Sequence, residues 1–278
     1  MTPDQPEKRS RKDPLRSLKR WKERLLWGGK IREQLLLWLL RRHYESQFRR
    51  FWQLNERRPH FSYHHLAWFL FGFGAGRMEM HPYHFFRAFY AAEVLEPTDV
   101  VLDIGCGDGF FTKHFLASQC AEVDAVDVDP AAIRIATQRN QRANIRYQLG
   151  DAVADPFPRR TYNVIVWNGA IGHFSASTAA IVLEKVCAAL SRDGIFVGSE
   201  SLGREGHDHL QVFETPADLA ALLKRAFPNV WTKAARYRVF NTQFIRNEGY
   251  WRCANSSARL SDLNWLRADS VGDSNRGG

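Results

Sequence analysis

Three glycines, at positions 105, 107 and 109, follow an apolar run in the stretch VVLDIGCGDG, residues 100–109. A buried strand that leads through such a turn into a helix lets the backbone approach a bound ligand closely. A NAD-binding fingerprint, G-x-G-x-x-G, requires a further glycine at position 110, where this chain has Phe110. Dinucleotide binding is therefore disfavoured, whereas a glycine-rich turn without a ligand stays open as an interpretation of this segment alone.

Polar residues also lie at or just after the ends of the next three predicted strands. Asp127 closes AEVDAVD, Asp151 and Ala152 follow IRYQL after one glycine, and Asn168 closes YNVIVWN. The carboxyl ends of parallel strands meet at one edge of a sheet, where open α/β folds bind ligands. A carboxylate at Asp127 can accept two hydrogen bonds, as the neighbouring hydroxyl groups of a ribose require.

The segment that contains these residues resembles the class I S-adenosylmethionine (SAM)-dependent methyltransferases over about residues 95–200. The motif I of that family, D-x-G-x-G-x-G, is matched by Asp103, Gly105, Gly107 and Gly109. The fourth strand is similar to the family's F-D-x-V pattern, with Asn163 in place of the usual Asp. Leu190 and Gly194 match a Leu-x-x-x-Gly turn before the fifth strand.

The resemblance implies SAM as the cofactor and gives a role to several positions. Asp127 is expected to bind the ribose hydroxyl groups, and Asp151 is expected to lie near the adenine amino group. The predicted cofactor-binding residues are Asp103, Gly105, Cys106, Gly107, Gly109, Asp127, Val128, Asp151, Ala152 and Asn168. For Asp129 we predict an N-cap role, because Pro130 suits the first position of a helix.

Three histidines are the candidates for catalysis. Methyl transfer from SAM needs no covalent intermediate, so the protein chiefly aligns the acceptor and excludes water. A hydroxyl acceptor loses a proton, and His173, His207 and His209 follow the fourth and fifth predicted strands, where a base would act. Structural packing of each histidine is the competing interpretation. No metal is expected, because the carboxylate cluster of metal-dependent catechol-type methyltransferases is not evident.

The elements that must position these residues alternate between strand and helix patterns from about residue 96. This alternation predicts an α/β fold with a doubly wound, mostly parallel, Rossmann-like sheet, closed by an antiparallel pair near residues 229–240 and 242–252. The family's sheet has seven strands. The predicted organisation is a disordered leader (1–14), a basic, aromatic-rich helical arm and cap (15–95), a SAM-binding domain (96–254) and a polar tail (255–278).

The arm carries the excess positive charge of the chain. Residues 1–60 contain 17 Lys and Arg against 7 Asp and Glu, whereas the remainder contains 22 against 23. Tryptophans interleave with the basic residues of the arm, which is typical of a helix at an anionic membrane surface; they are Trp21, Trp27, Trp38 and Trp52. The alternative, which broad apolar helix faces favour, is a cap docked on the SAM-binding domain.

Cysteine usage and hydropathy indicate the compartment. The four cysteines form no C-x-x-C pair, which favours a reducing cytoplasm. The first residues contain no apolar signal segment, and the longest apolar run, residues 66–76, is short of the ~20 residues that span a bilayer. We predict a cytoplasmic protein, peripheral at the inner face of a membrane if the arm binds lipid.

Taken together, these features predict an enzyme that methylates a small-molecule, glycan or lipid-linked acceptor, with O-methylation favoured. Asn168-Gly169-Ala170-Ile171 stands where amino-methylating nucleic-acid enzymes of this fold commonly carry N/D-P-P-Y/F. No RRM, KH or zinc-knuckle module is recognised, so nucleic acid is a disfavoured partner. RNA methylation through the basic arm and a non-catalytic SAM-binding scaffold are the alternatives.

Overall fold

The computed structural model describes residues 34–36, 38, 39, 42, 82–204, 209–238 and 245–256. A seven-stranded sheet dominates this part of the chain. Its strands are β1 (Val100–Ile104), β2 (Glu122–Asp127), β3 (Ile145–Leu149), β4 (Tyr162–Asn168), β5 (Leu190–Leu202), β6 (Asn229–Arg238) and β7 (Ile245–Ala254). The helices are α1 (Pro82–Ala92), α2 (Pro130–Arg139), α3 (Ala176–Ala189) and α4 (Pro216–Leu223).

The strand order is β3-β2-β1-β4-β5-β7-β6. The first five of these strands are parallel, and β7 runs antiparallel to both β5 and β6. The predicted fold class, a mostly parallel seven-stranded sheet closed by an antiparallel pair, is therefore confirmed. Because the order reverses beside β1, the carboxyl ends of β1 and β4 flank the crevice where such sheets bind ligands.

The central strands are apolar on both faces because helices cover both sides of the sheet. One core lies under α3 and α4 and includes Trp167, Val182 and Leu219. The other lies under α1 and includes Tyr90 and Val101. The two cores fix the sheet edge that carries the polar residues.

Local hydrogen bonds explain where several elements begin. The Asp129 carboxylate accepts a hydrogen bond from the Ala131 N–H at 2.8 Å, which confirms the predicted N-cap of α2. Asn163, the residue that departs from the family pattern, accepts a hydrogen bond from the Val100 N–H at 2.9 Å. The departure therefore preserves an acceptor that joins β4 to the start of β1.

The segment after motif I differs in detail from the sequence prediction. A helix begins at Phe110 as expected, but it continues as a π-helix over Thr112–Leu116. The Ala117 N–H donates to the Thr112 carbonyl five residues earlier, at 2.9 Å. In this arrangement the Thr112 hydroxyl donates to the Asp103 carboxylate at 2.6 Å, which ties the segment to β1.

The arm and the tail are represented by few described residues. The predicted leader, most of the arm and the tail from residue 257 lie outside the described residues. Among the described helices, none has the length and apolar character needed to cross a membrane.

Candidate active site

The glycine-rich turn after β1 adopts a backbone that favours glycine. Gly105, Gly107 and Gly109 have φ angles of 71°, 57° and 74°, in the left-handed region that side chains rarely adopt. A Cβ at Gly109 would lie 2.4 Å from the hydroxyl oxygen of Tyr147. Motif I therefore reflects both backbone conformation and close packing around the turn.

Asp127 joins this turn to the end of β2. Its carboxylate accepts hydrogen bonds from the Gly107 N–H and the Asp129 N–H, each at 2.8 Å. Burial raises the pKa of Asp127, and these two backbone donors oppose that rise. A carboxylate offers about four acceptor positions, so these bonds leave Asp127 able to accept from a ribose hydroxyl group as well.

A cavity of about 510 Å³ opens along the carboxyl ends of β1 to β4, within the size range of small-molecule sites. It is lined by Ile104, Gly105, Val126, Asp127, Val128, Gly150, Asp151, Ala152, Val153, Trp167, Ala170, His173, Phe174, Thr178 and Leu210. The Val128 side chain is 54% exposed here, which leaves an apolar surface for a ligand to cover.

Five of the ten predicted cofactor residues line this cavity: Gly105, Asp127, Val128, Asp151 and Ala152. The other five lie around it. Gly107 positions Asp127, and Gly109 packs against Tyr147. Asp103 accepts a hydrogen bond from Thr112, and Asn168 accepts one from the Ser199 hydroxyl at 3.1 Å.

Cys106, the last of these residues, is buried. Burial raises the pKa of its thiol well above the ordinary value, and the charges of Asp127 and Asp103 add to this rise. The thiol is therefore neutral near physiological pH and unsuited to act as a nucleophile.

Two of the predicted catalytic histidines meet at the β4 and β5 end of the site. His173 lines the cavity, and its ring centroid lies 4.5 Å from that of His209. The Nε2 atom of His209 is 3.5 Å from Oε1 of Glu200, a fully buried residue of β5. His207 lies outside the described residues. Among the residues that are described, no cluster of three or more His, Cys, Asp or Glu is arranged to hold a metal ion.

Glu200 was not predicted, yet it organises this end of the site. Its carboxylate accepts hydrogen bonds from the Gly172 N–H at 2.9 Å and the Ser201 N–H at 2.8 Å. Burial alone would raise the pKa of Glu200, but the neighbouring His209 imidazole, the charge of Arg87 and the backbone donors outweigh it and lower the pKa to about 2. A negative charge is therefore fixed beside the two histidines.

Arg87 of α1 and the β7 residues Arg246 and Glu248 were also not predicted from the sequence. Arg87 and Arg246 both donate to the buried Glu248 carboxylate, Arg246 at 2.8 Å. The Arg87 guanidinium also fills the space beside Gly169, which has a φ of 62°. A signal existed in the sequence, because Arg246, Glu248 and Arg252 alternate along a strand and so share one face.

The glycine turn after β1, the acidic end of β2 and the cavity that follows the strand ends toward β4 match the site that the sequence resemblance implies. This fold and site define a class I SAM-dependent methyltransferase domain. Residues 101–194 match the family model described as "Methyltransferase domain", and this part of the chain belongs to that family. SAM is the family's cofactor. The backbone approach at Gly105, the acceptor at Asp127 and the apolar surface at Val128 fit it.

Curated relatives align with part of the chain. An uncharacterized methyltransferase from Mycobacterium tuberculosis is 34% identical over 84 residues, which make up 30% of this chain and 42% of the relative. The alignment thus spans less than half of that relative's length.

Solved structures share the fold at low sequence identity. The N-methyltransferase NodS from Bradyrhizobium japonicum, in complex with S-adenosyl-L-homocysteine, has a TM-score of 0.50 and 18% identity, covering 63% of this chain and 87% of NodS. The [4+2]-cyclase SpnF has a TM-score of 0.50 and 14% identity, covering 60% of this chain and 80% of SpnF. Because one neighbour is described as a cyclase, this likeness concerns the fold and does not define the acceptor.

Proposed function

We propose that the protein transfers the methyl group of SAM to a hydroxyl group of a small-molecule, glycan or lipid-linked acceptor. The observation that carries the O-methylation proposal is the placement of His173 in the cavity wall with His209 and the buried Glu200 behind it. When bound, SAM supplies an electrophilic methyl group on a sulfonium. The residues of this chain bind the cofactor, exclude water and handle the acceptor's proton.

In this proposal His173 is the general base. With SAM bound, His173 would accept the proton that the acceptor hydroxyl group loses when its oxygen takes up the methyl group. Glu200 supports this role by position, because its carboxylate lies 3.5 Å from Nε2 of His209 and the His209 ring packs against the His173 ring. The His209 ring lies 4.5 Å from the His173 ring, centre to centre, and His209 is the second candidate for the base.

Substitution of the histidines tests this assignment. We expect His173→Ala to lower turnover by roughly 10²–10⁴-fold at unchanged SAM affinity, the loss typical of a positioned base. His114→Ala is the matched control, because His114 lies on the π-helical segment and does not line the cavity. Near-full turnover in His173→Ala, His207→Ala and His209→Ala alike would show that positioning alone accounts for catalysis.

The acceptor class requires a separate experiment. Methyl-labelled SAM is incubated with the protein and fractionated extract, and the label is followed into lipid, glycan, RNA and small metabolites. Label in lipid, glycan or small hydroxylated metabolites supports the proposal. Label in RNA that falls steeply with salt supports the RNA alternative, and SAM binding without transfer to any fraction supports the scaffold alternative.

A further inference from the structure

Lys185 of α3 makes an unusual set of hydrogen bonds. Its Nζ donates to the carbonyl oxygens of Ala152 at 2.6 Å, Asp155 at 2.6 Å and Val153 at 3.2 Å. A lysine ammonium has three donors, so these contacts use all of them. The ammonium also lies 4.9 Å from the centre of the Phe157 ring.

The loop that Lys185 binds forms one wall of the cavity. Residues 150–153 all line it, directly after β3. The loop is also closed on itself, because the Asp151 carboxylate accepts from the Val153 N–H and the Asp155 carboxylate accepts from the Asp151 N–H, each at 2.8 Å. These internal bonds fix the shape of the loop, whereas Lys185 fixes its position against α3.

The strand order indicates which part of SAM this wall meets. The cavity passes from Gly105 at the end of β1 to Asp127 at the end of β2 and then to residues 150–153 after β3. If Asp127 binds the ribose, the glycine turn faces the amino-acid end of SAM and the loop after β3 faces the adenine. The inference therefore rests on the proposed use of SAM.

We propose that Lys185 is a positioning residue for the adenine end of the cofactor, acting through the carbonyl oxygens of Ala152, Val153 and Asp155. Three carbonyl groups that converge on one point suit a compact ammonium and not the planar fork of an arginine. The ammonium does not reach the reacting atoms, so its effect is on cofactor affinity and not on the chemical step.

Calorimetry with SAM and with 5′-methylthioadenosine, which keeps the adenine and ribose but lacks the amino-acid end, tests the proposal in the full chain. We expect Lys185→Met to weaken both ligands by the same factor, at least about tenfold, because three charge-assisted hydrogen bonds are lost. The KM for SAM should rise while turnover at saturating SAM is retained. Lys113→Met is the matched control, since the Lys113 ammonium donates to the Arg139 carbonyl at 3.1 Å and does not line the cavity.

Lys185→Arg keeps the experiment informative if Lys185→Met does not fold. We expect it to weaken both ligands in the same direction but by less, because one or two carbonyl groups can still be bonded. Unchanged affinity in the folded variants, or a loss confined to SAM, would overturn the role of Lys185 while leaving the proposed function in place. Failure of the unmodified protein to bind SAM would overturn both.

Discussion

At the scale of single residues, Asp127 has two tasks that a substitution would remove together. Its carboxylate accepts hydrogen bonds from the Gly107 and Asp129 N–H groups, and Asp127 lines the cavity at the strand ends. We predict that Asp127→Ala lowers SAM affinity and also destabilises the fold by about 1–3 kcal/mol, because buried donors lose their acceptor. Gly107→Val should act similarly, since a β-branched residue is strained at a φ of 57°. Calorimetry and urea unfolding measure the two effects, and unchanged SAM affinity in both folded variants would refute the site.

Glu200 gives a prediction about pH at the same scale. Its pKa of about 2 lies below the ordinary value of 4.5, so its contribution to folding is complete above about pH 4.5 and is lost as the pH falls toward about 2. Glu200→Gln does not titrate. The advantage of the wild type over this variant, up to about 3 kcal/mol, should therefore shrink within that window. Urea unfolding across the acid range measures it.

The exposed Glu122 is a suitable control for this pH series. Its pKa is also lowered, chiefly by a hydrogen bond with Arg159, but its charge remains in solvent. Glu122→Gln should therefore change the pH dependence little. A constant difference between the wild type and Glu200→Gln from neutral to acid pH would mean that Glu200 is not ionised in the folded protein.

Residues with local signatures were predictable from the sequence, and residues defined by distant partners were not. Asp103, Asp127 and the motif I glycines follow strand patterns directly, because their roles depend on position within one βα unit. Glu200 gave no such signal, since Gly172 and His209 reach it from two other segments. Lys185 was missed for the same reason, because its three acceptors lie about 30 residues away.

At the scale of elements, the site depends on the segment after β4 and the segment after β5, which backbone hydrogen bonds join. The turn Ile171–His173 receives the N–H groups of Leu210 and Gln211 at the Gly172 carbonyl, at 2.8 and 3.0 Å. The Gln211 side chain also donates to the Phe174 carbonyl at 2.8 Å. The segment after β5 is therefore held against the segment after β4, and this contact brings His209 to His173.

Gly172 is where these segments come closest. An added Cβ would lie 2.3 Å from Cδ2 of His209 and 3.3 Å from the Glu200 carboxyl carbon. We predict that Gly172→Ala displaces His209 and lowers turnover by at least about tenfold, a cost typical of misplaced catalytic groups, while the protein stays folded. Gly203→Ala is the matched control, because no other atom lies near its Cβ position and only its φ of 94° is strained. Equal turnover in the two variants would contradict this prediction, because it would show that displacing His209 does not affect catalysis.

The alternation of strands and helices was predicted correctly because each central strand is an apolar run, as expected where helices bury the strand on both faces of the sheet. The antiparallel β6–β7 pair was predicted from its position and pattern, and the structure confirms it. The π-helical turn at Thr112–Leu116 was not predicted, because its apolar spacing is that of an ordinary helix. The first residue of this turn, Thr112, donates to Asp103 of β1, a tertiary contact that the local sequence pattern does not reveal.

At the scale of the whole molecule, positive charge distinguishes residues 1–60, the leader and the first part of the arm, from the rest of the chain. The described residues of the arm include Leu35, Leu36, Trp38 and Leu39, each about half exposed. The Arg42 guanidinium lies 4.9 Å from the centre of the Trp38 ring. Exposed apolar side chains beside cations suit an anionic membrane interface, whereas cover by other parts of the chain would make the arm an intramolecular cap.

Vesicle co-sedimentation distinguishes these roles of the arm. We predict that the full-length protein binds anionic vesicles at low salt and binds neutral vesicles weakly, since each basic residue near such a surface contributes about 1 kcal/mol. A chain that starts near His60 should lose this binding. A full-length variant with Leu35, Trp38 and Leu39 changed to Ser should bind less because it keeps the charge but not the apolar contacts. Equally negligible binding by all three proteins would identify the arm as a cap and remove the reason for preferring a lipid-linked acceptor.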